Sequence, residues 1–593
     1  MTPTPHPNRR FGFLWLWVLV PLCYTLFLAW KWTPDFPHAD HWGLESDLFL
    51  ADSHGGLTWD LLADQKNDSR YVLSRLCYWW IGKATAWNLR VEAAICVLMG
   101  GGIAILAWWM ARRTIPGRAA DWTGALMSLL ILSPHQAMNW NFGVQICYFL
   151  PIGAAVGISA LHLTRLSLAR QTAAGILLAM VATWSFAPGW LAWGLVIWGI
   201  LGWLGRLRPA AVVLALIAVC AALGANAAFY FKNYIFQEGI PLTQKLAERG
   251  TEIAHYFLKM LGAPLAEGWL QPNQAARGAV LDRLSPTLSI LLLVWIVFIL
   301  NLHRRDLLRR RGASPAWAWI GIGGWSLLAV GMVSLARTGN VLSHPFASRY
   351  LAFTLWAWLA AFVLTLMLPP GKTRRILVPA GALLLLWGWA AGAATGVKQM
   401  HKDWNGMRLL QGALTLSAVA PEPQGLRGND PAMHNWLPIV SRLDELGYLR
   451  PRLVRSPLVA DAQVSSNPAI QGQIREIITS PTLSIHGHAI DPRRGGVADS
   501  IILSYQEEGG QEIWWTPVTA RTMDKTSKKI AAAEGLEGEH ARIGWIWEAG
   551  IDATHYQIVP LPARPCIIRA YVLDAETGKF HPLEGAIGYQ PAP

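Results

Sequence analysis

Residues 91–113 read VEAAICVLMGGGIAILAWWMARR, and this stretch decides the fold class. About twenty apolar residues, with Glu92 close to one end as the single charge, run into the pair Arg112 and Arg113. At a rise of about 1.5 Å per residue, such a helix matches a hydrocarbon core of about 30 Å. A helix on the surface of a soluble domain would carry a polar face instead. The glycines at 100–102 lie inside the run and read as a place of close helix packing, not as a phosphate loop. Similar runs recur at 11–30, 121–134, 147–163, 171–187, 190–204, 209–229, 287–302, 315–336, 350–368 and 376–396, so about eleven spans are expected. The first follows Arg9 and Arg10 as a signal peptide would. No small-x-small cleavage site follows Trp30-Lys31-Trp32, so it reads as a retained helix.

Composition agrees. The 593 residues are 53% hydrophobic and 15% charged, and the mean hydropathy is +0.30. Soluble domains carry nearer 25% charged residues, so a simple soluble enzyme, a disordered tail and a disulfide-stapled secreted domain are excluded. The 33 tryptophans suit a protein with many membrane-water interfaces. Residues 401–593 hold 18 Lys and Arg against 21 Asp and Glu, whereas residues 1–400 hold 32 against 16. The high isoelectric point of 9.6 therefore belongs to short basic loops between apolar runs, not to a nucleic-acid surface. The six cysteines form no CxxC pair, and a disulfide framework or structural zinc site is not expected.

The loops alternate in charge. Arg9 and Arg10, then Arg112, Arg113 and Arg118, Arg165 and Arg170, Arg206 and Arg208, Arg304 to Arg311, and Lys372, Arg374 and Arg375 fall on one side, with Asp306 as their one acid. By the positive-inside rule that side is cytoplasmic, as is the N-terminus. The Arg304–Arg311 cluster is such an anchor, with anionic lipid as an added contact. The opposite loops, 31–90, 135–147, 230–286 and 337–350, are then outside, as is everything beyond 401. The first outer loop carries Asp35, Asp40, Glu45, Asp47, Asp52, Asp60, Asp64 and Asp68, half the acids of residues 1–400. In the stretch 242–262, Leu242, Leu246, Ile253, Phe257 and Met260 recur at helical spacing, as in a helix along the interface.

Three domains are expected: a transmembrane part over 1–400, a helical connector over 401–480 (Trp404 to Leu416, then Pro431 to Leu446), and a β-sandwich-like domain over 481–593. In the last, LSIHGHAI, SIILSY, EIWWTPV, ARIGWIW, HYQIVPL and CIIRAYVL are strand-like, and Asp574 to Gly578 is a hairpin turn. Trp514, Trp515, Trp545 and Trp547 are the residue type that stacks on sugars, although alternate tryptophans in a strand are more often core.

Chemistry concentrates in the first outer loop, FPHADHWGLESD at 36–47. A carboxylate just past the first helix, held near the membrane surface by Trp42, is placed to take a proton from a hydroxyl of a lipid-anchored substrate. Asp40 is the first candidate, with Glu45 and Asp47 behind it; solvation of the loop is the plain alternative. His38, Asp40, His41 and His54 are metal-ligand types. Their spacing matches no strong template, so no metal or other cofactor is expected, a divalent ion being the lesser alternative.

The Asp-x-Trp at 40–42, the Leu-Thr-Trp at 57–59 followed by Asn67-x-x-Arg70, the NWNFGVQ loop at 139–145, Phe186 to Gly189, and Ser348-Arg349-Tyr350 together resemble bacterial multi-pass GT-C-type membrane glycosyltransferases, which depend on polyprenyl-phosphate sugars. Order and common location carry the resemblance, over about residues 10–400. Many of that family have two adjacent acids before the Trp, where this chain has Asp40-His41. The tail, with Gly487 to Pro492 and Leu573 to Gly578, resembles a non-catalytic sandwich appended to some members.

The resemblance implies a polytopic helical fold and an inner-membrane enzyme with a periplasmic C-terminal domain. Its donor is a polyprenyl-phosphate-linked sugar. Its acceptor is a cell-envelope glycan, lipid or protein, and nucleic acid is not a partner. Asp40 would act as general base in an inverting displacement. Arg349 would hold the leaving phosphate, with Tyr350, Arg337 and His344 beside it. His41, Trp42, Glu45, Asp47, Asn67, Arg70, Asn139, Asn141 and Gln145 would support the loops or touch the sugar. The alternative is a non-catalytic scaffold or transporter subunit of an envelope polysaccharide assembly. A transporter would carry ionisable residues at mid-membrane depth, which these runs nearly lack.

Overall fold

The computed structural model describes residues 16–204, 206–235, 242–266, 274–310, 314–339, 344–419, 436–467, 469–478, 483–491, 493, 496–518, 520–522, 524–536, 538–548 and 561–591. The chain divides into two compact units. One comprises Met1–Thr33, Leu57–Trp80 and Arg90–Met400; the other comprises Pro34–Gly56, Ile81–Leu89 and His401–Pro593. The segment between the first two apolar runs is thus shared between the units. It is not a bare loop, since it holds the helices Asp40–Leu44, Ser46–Ser53, Trp59–Leu62 and Val72–Thr85.

In the first unit, seven helices among the described residues are long and apolar enough to cross a membrane: Leu89–Thr114, Gly143–Leu161, Pro209–Tyr230, Val280–Arg304, Ala316–Arg337, Ser348–Leu366 and Lys372–Thr415, the last running on into the second unit. A membrane location follows. Leu16–Trp32, Leu168–Thr183 and Ala187–Leu201 are apolar but shorter, and Ala119–Ile131 has 13 residues. The expected runs are helical where described, and the seven helices above reach full length among the described residues. The run at 121–134 forms a helix of 13 residues, short of the roughly 20 that a span needs, a difference that hydropathy alone does not show.

Burial sorts these helices. Ser348–Leu366 is 94% buried and lies in the centre, whereas Pro209–Tyr230 is 17% buried and turns apolar side chains outward, as a lipid-facing helix does. Small residues allow the close approaches. A side chain at Gly100 would meet the Trp140 ring, and one at Gly189 would collide with the Ala182 carbonyl. Hydroxyls tie helices across long separations: Thr25 Oγ1 donates to Leu132 O at 2.6 Å, and Ser326 Oγ donates to Phe353 O at 2.6 Å. The tryptophans are not only interfacial. Trp17, Trp30 and Trp122 are exposed, but Trp140, Trp319, Trp325, Trp356 and Trp358 are fully buried. Trp198 and Trp317 stack at 3.8 Å, each indole N–H donating to the other residue's carbonyl.

The amphipathic stretch forms the helix Leu242–Ala266, broken at Arg249. Ile253, Tyr256 and Met260 are buried while Leu246 is exposed. Its buried side packs on the helix Gln274–Arg310, where Ser285 Oγ donates to Lys259 O at 2.5 Å. The expected interfacial helix is therefore half covered by protein.

The second unit holds two antiparallel sheets. After the two-residue strands β1 (Gln65–Lys66) and β2 (Ser69–Arg70) of the first unit, its strands are β3 (Gln471–Ile478), β4 (Ser484–Ile490), β5 (Ser500–Glu507), β6 (Ile513–Pro517), β7 (Ala520–Thr522), β8 (Gly544–Glu548), β9 (Cys566–Asp574), β10 (Lys579–Pro582) and β11 (Ile587–Tyr589). One sheet runs β3-β4-β8-β7; the other runs β10-β9-β5-β6, with β11 also on β9. Ile474, Ile485 and Trp545 of the first sheet share a core with Leu503, Trp515, Ile568 and Val572 of the second. Burial of each such side chain stabilises by about 1.5–3 kcal/mol, and the period-two pattern places them all inward. Five of the six strand-like stretches coincide with β4, β5, β6, β8 and β9. HYQIVPL lies in the main outside the described residues, as does the stretch 420–435 of the expected connector. The turn after Asp574 has Gly578 at φ +70, with Gly578 N donating to Asp574 O at 2.8 Å. Trp514, Trp515 and Trp545 are buried, so they offer no face to a sugar; the Trp547 side chain lies outside the described residues. The end of the long helix joins this unit through a buried ion pair, Arg408 Nη1 to Asp499 Oδ2 at 3.1 Å.

Candidate functional site

Two groups of side chains have the makings of a site, one in each unit. In the second unit, Asp40 begins the short helix Asp40–Leu44, after Ala39 in the left-handed region at φ 46. Asp40 is exposed. Its neighbours turn inward. Glu45 is fully buried and accepts a hydrogen bond from Trp87 Nε1 at 2.6 Å. Trp42 is also buried and meets Trp87 edge-on at 6.1 Å, so it packs inside its unit and is not the surface anchor the sequence suggested. Asp47 is half-buried.

The histidines are structural in geometry. His41 Nδ1 bonds with His38 O at 2.8 Å, and His38 Nδ1 with Phe36 O at 3.0 Å. Burial pushes the His38 imidazole down to about 4, with the Phe36 carbonyl acting against it. Burial, and then His38, hold His41 well below the usual range. Both rings are neutral at pH 7. His54 lies apart on Leu50 O and Ser53 Oγ. His38, Asp40, His41 and His54 do not converge on one metal position among the described residues.

In the first unit, Ser348–Tyr350 is a single 3-10 turn leading into the central helix. The Arg349 guanidinium carbon stands 5.1 Å from the Tyr350 ring centroid. Asn139 Nδ2 donates to Gln136 Oε1 at 3.0 Å and to Arg349 O at 3.3 Å, and Met138 N donates to Ser348 Oγ at 3.1 Å. The 134–145 segment therefore braces the backbone that carries Arg349. Asn139, Asn141 and Gln145 are buried, and Trp140 is fully buried, stacked on Phe149 at 5.2 Å with its N–H on Ser133 O. That ring presents no face for a sugar.

Arg337 ends the helix Ala316–Arg337 and lines a cavity of about 440 Å³ together with His255, Tyr256 and Lys259. Lys259 is paired with Asp282 at 2.7 Å. The Tyr256 hydroxyl is buried with no hydrogen-bond partner among the described residues. Burial pushes this phenol up, Tyr350 adds to the rise, and the Arg349 and Arg337 guanidiniums act against it. Two cations and two phenols thus act on one region, a donor set suited to phosphate oxygens. His344 is exposed, bonded through Nδ1 to Phe346 N at 3.3 Å; residues 340–343 of this loop lie outside the described residues. In the sequence Tyr256 is hidden within the apolar period of its helix; a phenol on the buried stripe is the available signal.

Asn67 and Arg70 also belong to the first unit. Asn67 takes φ 51 in the two-residue turn between β1 and β2, a conformation asparagine tolerates. Arg70 donates to Tyr230 O and Lys232 O, each at 2.7 Å, and to Ala63 O. Its cation therefore caps the carboxyl end of Pro209–Tyr230, where carbonyls lack helical partners.

No family model matches the sequence, and no curated protein matches it. Among solved structures the chain is similar to the oligosaccharyltransferase AglB of Archaeoglobus fulgidus in complex with an inhibitory peptide and a dolichol-phosphate, at 14% identity and TM-score 0.35, over 67% of this chain and 58% of that one. It is similar to the apo form of the Archaeoglobus fulgidus oligosaccharyltransferase at 15% identity and TM-score 0.36, over 66% of this chain and 58% of that one. The chain thus spans under two thirds of the length of the structures it matches.

Proposed function

We propose that this chain is a GT-C-type membrane glycosyltransferase that moves a sugar from a polyprenyl-phosphate donor to a cell-envelope acceptor on the outer face of a bacterial inner membrane. The observation that carries the reading is Arg337 lining one cavity of the first unit together with Tyr256, whose buried hydroxyl has no hydrogen-bond partner among the described residues; the Arg349 guanidinium is near enough to act on that phenol. Among the described residues Arg337 has no carboxylate within ion-pair distance, so its charge is available to an anion. The membrane location and the basic loops supply the rest. An outward-facing transferase cannot draw on cytoplasmic nucleotide sugars and needs a donor carried across on lipid.

In this account Asp40 accepts the proton of the acceptor hydroxyl. The acceptor oxygen then forms its bond to the anomeric carbon while the bond from that carbon to the donor phosphate oxygen breaks. The electron pair leaves with the polyprenyl phosphate, whose added charge Arg349 and Arg337 stabilise. One direct displacement inverts the anomeric configuration. The connector and the sandwich position the acceptor. No metal is required by the residues in these roles.

The test uses purified full-length protein in nanodiscs with radiolabelled polyprenyl-phosphate sugars and envelope lipid or glycan acceptors. Release of polyprenyl phosphate with gain of label on the acceptor is expected, with loss of both in Arg349→Gln. Absence of release from every donor tried, in protein that remains folded, contradicts the proposal.

A further inference from the structure

A second cavity of the first unit, about 1080 Å³ in volume, is at the upper end of small-molecule sites, which run to about 1,000 Å³. Its lining mixes apolar and charged side chains. Phe229 and Ile235 both line it and are 71% and 76% exposed. Phe229 belongs to Pro209–Tyr230, a helix with the composition of a membrane span and only 17% buried. An exposed apolar face of this kind meets lipid, so the cavity borders the hydrocarbon phase.

Four charged residues line the cavity, two of each sign: Asp60 and Asp64, Arg70 and Lys232. Two of the four are already engaged. Asp64 is paired with Lys66 at 3.1 Å. Arg70 keeps its charge, but it is buried and donates to three backbone carbonyls. Asp60 and Lys232 are exposed, and among the described residues neither has an ion-pair partner. They do not pair with each other either, although both line one cavity. A carboxylate and an ammonium held apart in this way fit a ligand that carries both signs. An uncharged head would answer neither group. A head with a negative charge alone would answer Lys232 and be opposed by Asp60.

Asn226 adds a donor to the same lining. It is 4% exposed, and its Oδ1 accepts from Trp184 Nε1 at 2.8 Å. An indole N–H only donates, so that bond fixes the amide orientation. Nδ2 is left buried with no acceptor among the described residues. Such a donor in apolar surroundings is costly unless an oxygen meets it.

We propose that this cavity binds a zwitterionic phospholipid with a primary ammonium in its head. Lys232 and Asn226 Nδ2 donate to the phosphate oxygens, and Asp60 accepts from the ammonium. The acyl chains pack on the exposed apolar lining that includes Phe229 and Ile235. The site does not depend on sugar transfer, and its failure or success leaves the catalytic proposal untouched.

The experiment is native mass spectrometry of the full-length protein released from nanodiscs made with equimolar dioleoylphosphatidylethanolamine, dioleoylphosphatidylglycerol and monoglucosyl dioleoylglycerol. The parent is expected to retain phosphatidylethanolamine over each of the other two by about tenfold, the equivalent of one charge-assisted hydrogen bond. Asp60→Asn is expected to bring its ratio to phosphatidylglycerol close to unity. Lys232→Gln is expected to bring its ratio to the glucosyl lipid close to unity. Both side chains are exposed, so both variants should fold as the parent does. Equal retention of the three lipids by the parent, preference for phosphatidylglycerol or the glucosyl lipid, or an unchanged ratio in either variant overturns the proposal.

Discussion

Segment 34–56 and the segment from Arg337 to Tyr350 hold charged groups under opposite conditions. In the first, Asp35 accepts from Leu89 N at 2.9 Å, Glu45 is tied to Trp87 and Asp52 to Lys83. Its polar groups mostly build its own fold, and Asp40 stands out by its exposure at a helix start. In the second, Arg337 faces a cavity, while the 134–145 segment braces the backbone beneath Arg349. The contrast teaches that residue type alone does not mark function. A buried carboxylate such as Glu45 is structure, and an exposed one such as Asp40 is where a variant should change rate without changing stability.

That contrast can be broken in four ways. The largest effect is expected of Asp40→Asn, which should lower transfer by about 10²- to 10⁴-fold, the usual contribution of a general base. Its melting temperature should match the parent's, since the side chain is exposed. Arg349→Gln should cost about 10²- to 10³-fold in kcat, as removal of a transition-state donor does, with Arg349→Lys partly restoring the rate. Glu45→Leu is expected to leave the Trp87 N–H unmet and to destabilise by about 1–3 kcal/mol, read by thermal unfolding, while Glu45→Gln keeps an acceptor and unfolds near the parent. A loss of rate in stable Glu45→Gln as large as in Asp40→Asn would erase the distinction between the two acids.

The smallest effect concerns His38. Its folded value, about 4, is below the ordinary value of about 6.5, so the unfolded chain binds more protons between these limits. Stability is then fully present above about pH 6.5 and declines as pH falls toward 4. His38→Gln should flatten that decline in melting temperature between pH 7 and pH 4.5. An identical decline in the variant would show that other groups set the acid response.

The class of the fold was legible because lipid imposes a length and an apolarity that few other constraints imitate, and the strands of the sandwich because alternation such as SIILSY is simple to read. Helix count was less legible. A run such as 121–134 has the hydropathy of a span and about two thirds of its length. The burial of Trp42 and Trp140 was also hidden, since indole serves an interface and a core equally well by composition. Asp40 was singled out by position, and its exposure was not legible in the sequence. Tyr256 and Asn226 escaped notice because each is a lone polar group inside an apolar period, and only packing reveals that its hydrogen-bonding atom lacks a partner. Arg70 was noticed for its place in a motif, but its three carbonyl bonds depend on where Pro209–Tyr230 ends, 160 residues away.

The central claim is that Asp40 and Arg349 serve one reaction. Single-turnover transfer from the polyprenyl-phosphate sugar, measured for the parent, Asp40→Asn, Arg349→Gln and the double variant, tests it most directly. Groups that act as a unit are grossly non-additive, so the double variant should be no slower than the worse single variant by more than a few-fold. Losses that multiply in the double variant, or an Asp40→Asn protein that turns over at the parent's rate, would contradict the account.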